Sequence, residues 1–315
     1  MIRLTSNIKI GKYVFEGVVS CEVESSWDQL TSVARIQLPR RISWHGRTLV
    51  MDRDALLRKG MNVSVDLGYD NKNKRVFDGY ITKISTNNPF ELTCEDAMWL
   101  LKQKTITKSW RNVTLANLLK TIVGNVVKIK CVDMSLGGYR INKATAVEVL
   151  EDLRKRYFLK SFIRDNVLYV GLAYWPNNQH VHKVTFSTHV INNDLEWVRK
   201  EDVKIKLRVI VIQKNNKKVE YEYGDKEGEE RTLHYYNISK DTADKTAGME
   251  INRLRYEGYR GSITIFGDPH VAHGDVVDIH DAYYPERAGR YLVKKVTTSF
   301  GMSGYRQQLE LDIKV

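Results

Sequence analysis

The chain has 315 residues, of which 42% are apolar and 28% charged, with only five prolines, so a packed core is expected and global disorder is excluded. A length of this order suits about two ordinary domains. The net charge of +12 is uneven: residues 1–175 hold 28 Lys and Arg against 17 Asp and Glu, and the remainder 22 against 21.

A basic first half points to a polyanionic or acidic neighbour. No helix-turn-helix, zinc-finger or aromatic–basic RNA motif marks a sequence-specific nucleic-acid reader. The start, MIRLTSNIKIGKY, lacks the apolar run of a secretory leader, and the longest apolar stretch, LRVIVI at 207–212, is far short of the roughly 20 residues of a membrane helix. Cys21, Cys94 and Cys131 have no metal-ligand spacing and fit reduced, structural thiols. The expectation is a soluble protein made in the cytoplasm, with no membrane insertion by this chain.

Residues 1–94 read mostly as strands. Val19, Cys21 and Val23 fall on one face of a period-two pattern, as do Ala34, Ile36 and Leu38. GMNVSVDLGYDNKNKRVFDGYITKIS predicts a hairpin, with Val63, Val65 and Leu67 in one arm, DNKNK as the loop and 77–84 returning.

Helical spacing then takes over. CEDAMWLLKQK has Glu95 and Asp96 at its start and Lys102 and Lys104 at its end, the order a helix dipole favours. Thr114 is positioned as N-cap of a second helix that Gly124 stops, and Thr145 with Glu148 forms a capping box for a third. FLKSFIRDNVLYVGL predicts a hairpin turning at Asp165-Asn166. From about 180 the strand pattern returns, interrupted by one helix over about 239–257 capped by Ser239 or Asp241.

The two β regions share a spaced pattern. Gly60 precedes Val63 and Val65, then Ile81 and Ile84, then Leu92. Gly274 precedes Val277 and Ile279, then Val293 and Val296, then Leu309 and Leu311. The offset is 214 residues in the first strand and 212 in the second, so the hairpin arms keep register. The expected fold is mainly β with an α+β insert: a first β-barrel domain at 1–94, the insert at 95–175 and a second, related β-barrel at 176–315.

HVAHGDVVDIHD at 270–281 is the chemically richest stretch, with His270, His273, Asp275, Asp278, His280 and Asp281. A metal site needs three or four ligands converging on one point. Here Val277 and Ile279 alternate with Asp278 and His280, so the aspartates do not converge with both histidines unless the loop folds back. The cluster is expected to decorate a loop and a strand face. No Gly-x-Ser-x-Gly, phosphate loop or Gly-x-Gly-x-x-Gly occurs, Glu148, Glu151 and Asp152 sit at pairing distance from Arg154 and Arg156, and no catalytic, cofactor-binding or metal residue is assigned.

KGMNVSVDLGYD, RVFDGYITKI and FELTCEDAMWLLKQK resemble the first barrel and following helix of contractile-tail baseplate hub proteins. GDPHVAHGDVVDIHD and GRYLVKKVTTSFGMSGYRQQLELD resemble the second barrel of that family, which includes the late-control D proteins of tailed phages and the hub part of type VI secretion VgrG spikes. The resemblance covers nearly the whole chain and implies two tube-like barrels per subunit. It also implies a homotrimer in the virion tail baseplate, joining a hexameric tail tube or tube-initiator protein to a trimeric central spike. With the chain ending at Val315 directly after its last strand, the spike is expected to be a separate protein. The basic first half then faces either DNA passing non-specifically through the lumen or acidic tube and spike subunits. Two alternatives stay open: the distal tail hub of a non-contractile phage, and a metal-dependent hydrolase using His270, His273 and Asp275 or Asp278.

Overall fold

The computed structural model describes residues 3–44, 47–50, 57–86, 88–171 and 180–315. Period-two patterning becomes β1 (Leu4–Ile10), β2 (Tyr13–Phe15), β3 (Ser20–Ser26), β4 (Val33–Leu38), β5 (Arg41–Trp44), β6 (Arg47–Val50), β7 (Asn62–Tyr69), β8 (Lys72–Ser85) and β9 (Phe90–Glu95). Alternate residues, among them Ile8, Val23, Ile36, Val65 and Leu92, are buried in one core. The β7–β8 turn is tighter than a DNKNK loop, because Asp70 and Asn71 both adopt left-handed backbone, with φ of 51° and 64°.

The next stretch holds α1 (Met98–Leu101), β10 (Thr105–Thr114), α2 (Leu115–Val123), β11 (Lys128–Cys131), β12 (Ser135–Thr145), α3 (Ala146–Tyr157), β13 (Lys160–Arg164) and β14 (Val167–Gly171). Thr114 caps α2 by accepting from the Asn117 amide, and Thr145 with Glu148 closes the capping box of α3. Asp165 and Asn166 make the expected turn. Over CEDAMWLLKQK, however, the helix is a single turn. Glu95 still belongs to β9, and the buried Asp96 carboxylate accepts from the Ser32 amide at 2.8 Å and the Met98 amide at 2.9 Å. Asp96 is therefore a clamp between strand and helix, and burial pushes its carboxyl up to about 6.

The remainder comprises β15 (Val181–Thr185), α4 (Phe186–His189), β16 (Val190–Val198), β17 (Ile205–Ile212), β18 (Lys218–Gly224), β19 (Glu229–Tyr236), α5 (Lys240–Leu254), β20 (Gly258–Phe266), β21 (Val276–His280), β22 (Gly289–Gly301) and β23 (Gly304–Lys314). Ser239 caps α5, which ends three residues before 257. β19, which the periodicity does not reveal, runs parallel to β17. Its alternation is weak because one face only half-covers the core beneath α5.

The repeat seen in the sequence is present in backbone geometry. The Gly60 amide donates to the Ile81 carbonyl at 2.8 Å, and the Ile81 amide to the Met61 carbonyl at 2.9 Å. The Gly274 amide donates to the Val293 carbonyl at 2.7 Å, and the Val293 amide to the Asp275 carbonyl at 2.9 Å. Both glycines have positive φ, 88° and 82°. The long strands then break register at the same place, between Ile81 and Lys83 in β8 and between Val293 and Lys295 in β22. Beyond the bulge Ile36 opposes Leu92, as Ile263 opposes Leu309. The strand orders match: β3-β4-β9-β8-β7-β1 in the first unit and β16-β20-β23-β22-β21-β15 in the second. One strand departs from the repeat. β1 is antiparallel to β7, whereas β15 is parallel to β21.

The two expected barrels are not separate closed bodies. No barrel closes among the described strands; both units belong to one 13-stranded sheet. The reason lies in β22. Its first part pairs with β21, but past the bulge Lys295–Gly301 pairs instead with Ser20–Ser26 of β3. The edge left open when β21 ends is filled by the first strand of the other unit, so its backbone groups are satisfied across units rather than by closure. Phe300 and Tyr305 accordingly complete the core of the first unit.

Gly60 and Gly274 carry the same turn in the two units, so alanine at either position should lower stability similarly, by about 1–2 kcal/mol each. Urea unfolding midpoints of the two variants check this; a loss at one position alone would break the equivalence.

Candidate assembly edge and the histidine–aspartate cluster

The loop 267–275 enters β21 through a set of buried polar contacts. Gln307 of β23, fully buried, accepts from the Val271 amide and donates to the Val271 carbonyl, both at 2.9 Å. His270 Nδ1 lies 3.4 Å from the same amide nitrogen of Gln307. Asp275, only 2% exposed, is held from three sides. Arg164 of β13 donates to its Oδ1 at 2.7 Å, while His182 of β15, at 3.0 Å, and the Ala272 amide, at 3.1 Å, meet its Oδ2. Arg164 also donates to the His273 carbonyl at 2.8 Å. The insert, the loop and β15 are thus tied at one carboxylate.

The remaining acidic groups point elsewhere. Asp278 pairs with His280 at 3.2 Å and with Arg290 at 3.3 Å, on the half-exposed side of β21. Asp281 accepts from the Tyr283 amide at 2.9 Å, an Asx turn. Val277 and Ile279 are fully buried, as the alternation predicts. Decoration of a solvated face fits Asp278 and His280. It does not fit Asp275 and His273, which the loop carries into the interior. Among the described residues no three His, Cys, Asp or Glu side chains are arranged to hold a metal ion. Both Asp275 oxygens are engaged, and the adjacent Arg164 guanidinium opposes a second cation there.

Burial sets the electrostatics. Burial pushes the Asp275 carboxyl up, but the His182 and Arg164 contacts outweigh it and hold the group down at about 2. Burial pushes His270 and His273 down to about 4, helped by the Lys74 and Arg164 charges respectively. The His273 ring sits edge-on to Phe162 at 5.4 Å, and its Nε2 is buried without a hydrogen-bond partner. Arg164, His182 and Gln307 carry this clamp, and no local sequence signal marks any of them.

On the sheet face away from the first core, charges are paired across strands. Arg35 meets Glu22 at 2.9 Å, and at the joint between the units Lys295 of β22 meets Glu24 of β3 at 3.0 Å. More than half of the positive excess lies in the insert, where residues 97–132 hold seven Lys and Arg and no Asp or Glu. Several sheet edges are open among the described strands, those of β2 and β15 included. Among the described residues no strand pairs with β16 on the side away from β20, or with β8 beyond Ile81 on the side of β7.

The overall architecture has counterparts among solved structures. The fold is that of phage tail proteins. The 43 kDa tail protein of prophage MuSo2 from Shewanella oneidensis matches with a TM-score of 0.62 at 15% identity, over 98% of this chain and 97% of that one. A component of the E. coli type VI secretion system, described as similar to the bacteriophage T4 tail proteins gp27 and gp5, matches with a TM-score of 0.60 at 11% identity, over 97% of this chain and 76% of that one. A chain of the Francisella PdpA–VgrG complex matches with a TM-score of 0.55 at 11% identity, over all of this chain and 58% of that one. No family model and no curated protein matches the sequence. At such identities the likeness is one of fold.

The depressed histidines set a pH dependence whose sign can be worked out. A group whose folded pKa lies below its ordinary value contributes stability that is present above that ordinary value, near 6.5, and is lost as pH falls toward about 4. His234, also pushed down to about 4 by burial, acts the same way. Asp96, pushed up to about 6, acts in the opposite sense, and Asp275 enters only below about 4. Stability should therefore fall from pH 7 to pH 4.5, and in His273→Leu that fall should shrink by about 2–3 kcal/mol. Urea midpoints at the two pH values measure it; an unchanged fall in the variant would contradict the assignment.

Proposed function

We propose that this chain is a non-enzymatic structural protein of a phage tail or related contractile injection system, and specifically its baseplate hub. In this reading it is a homotrimer that joins the hexameric tail tube to the trimeric central spike. The observation that carries the reading is the duplicated six-strand unit with its own internal joint. Three chains supply six equivalent units, which is what a threefold-to-sixfold adaptor needs. The likeness of fold to tail proteins and to the Francisella PdpA–VgrG complex supports the setting and the spike partner.

The three-part division at 1–94, 95–175 and 176–315 belongs to this reading: two ring-forming units and a basic insert that meets acidic surfaces of the tube or spike. With Arg35 and Lys295 of the sheet face paired to Glu22 and Glu24, this reading favours an acidic protein neighbour for the insert over DNA in the lumen. The cluster at 270–281 serves as a clamp on the loop entering β21, with no catalytic, cofactor or metal role. The virion or assembled machine is where the protein works.

The native mass in moderate salt, from light scattering after gel filtration, tests the reading. It should be about three times the 36.5 kDa chain, alone or on addition of the spike protein. A stable closed dimer, or a monomer that no spike drives to three copies, would contradict it.

A further inference from the structure

The insert leaves one of its elements almost bare. β10 and β12 form a two-stranded antiparallel ribbon, and among the described residues no strand pairs with β10 on the side away from β12. Leu136, Tyr139 and Ile141 of β12 sink into the insert core, whereas seven of the ten residues of β10 are exposed. Ile106 and Trp110 pack only against the rim of that core and stay half-buried. Such a strand presents a row of unpaired backbone donors and acceptors along its free edge.

The ribbon carries charge of one sign. Lys104, Lys108, Arg111, Arg140 and Lys143 are all exposed, and residues 104–114 and 135–145 hold no Asp or Glu. Among the described residues none of the five has an ion-pair partner. On the neighbouring α3, by contrast, Arg156 is paired with Asp152 at 2.8 Å. The register separates two faces. Arg140 lies between the buried Tyr139 and Ile141, so it points outward, opposite Ser109. Arg111 stands exposed two residues beyond Ser109. Ile106, Lys108 and Trp110 alternate with these toward the core, with the Lys108 ammonium over the Trp110 ring at 5.1 Å.

We infer that β10 takes up an extended acidic segment of a neighbouring protein as a third strand. Its acidic side chains meet Arg111 and Arg140, and its alternate apolar side chains cover Ile106 and Trp110. Strand addition satisfies the free edge, charge selects the acidic partner, and the half-covered apolar pair sets the alternation. A second copy of the ribbon is excluded as the occupant, because its own basic side chains would face these. The inference rests on the hub reading only for the source of the segment, a tube or spike subunit.

Hydrogen exchange of β10, resolved to single amides, tests it in the purified chain and in the assembled particle. In the particle, alternate amides over 105–112 should slow by about tenfold or more, because a third strand bonds every second residue of the edge. Arg111→Glu with Arg140→Glu should lower recovery of the chain in particles by about tenfold without changing its native mass, while Arg111→Lys with Arg140→Lys retains recovery. Uniform slowing, or full recovery of the glutamate variant, overturns the strand pairing. Equal slowing on adding short duplex DNA to the purified chain assigns the ribbon to nucleic acid and overturns it. Slowing already complete in the purified chain assigns the third strand to another copy and overturns it too. A native mass of three chains with β10 unprotected in the particle overturns this inference and leaves the hub reading standing. A native mass that never reaches three, with the alternate slowing present, does the reverse.

Discussion

The backbone ladder between Lys295–Gly301 and Ser20–Ser26 is the constraint on which the rest of the molecule depends. It joins strands that are far apart in sequence, and it fixes how the two repeated units sit beside each other. Each hydrogen bond of such a ladder contributes on the order of 1 kcal/mol net. The larger effect is geometric: buried backbone groups must be paired, so the second unit cannot turn relative to the first without stranding them. The bulge that follows Val293 aims β22 out of its own unit and into the other. β8 breaks register at the equivalent place, after Ile81.

A second constraint positions the insert. Asp275 is almost wholly buried, and it is stable there as a carboxylate because Arg164 and His182 surround it. Arg164 comes from β13 and His182 from β15, so one charge cluster sets the insert against the second unit. Removing either partner would leave a buried charge poorly compensated, the costly case for interior ion pairs. The same residues that resemble a hydrolase centre in sequence thus act as a hinge pin.

Much of this was legible in the sequence, and the divide between what was and was not has a physical basis. Period-two alternation identifies the buried face of a strand, and it marked Val63, Val65, Val277 and Ile279 correctly. Local chemistry marked the helix starts at Thr114 and Thr145 and the positive-φ turns at Gly60 and Gly274. Alternation carries no information on which strand lies at each edge, so the open 13-stranded sheet could not be told from two closed barrels. Nor does a pattern reveal a partner 111 residues away, which is why Asp275 read as a solvated group until Arg164 was placed beside it. Asp96 failed for the same reason: its acidic side chain fits a helix start, but its burial depends on Ser32.

The central proposal is that the two repeated units of each chain are equivalent lobes of one ring. Electron microscopy of the assembled particle in end-on view tests it most directly. The account predicts a ring of six similar lobes related as three pairs, with continuous density at all six lobe-to-lobe contacts. A ring of three lobes only, or chains that touch through the inserts with no ring formed by the repeated units, would contradict it.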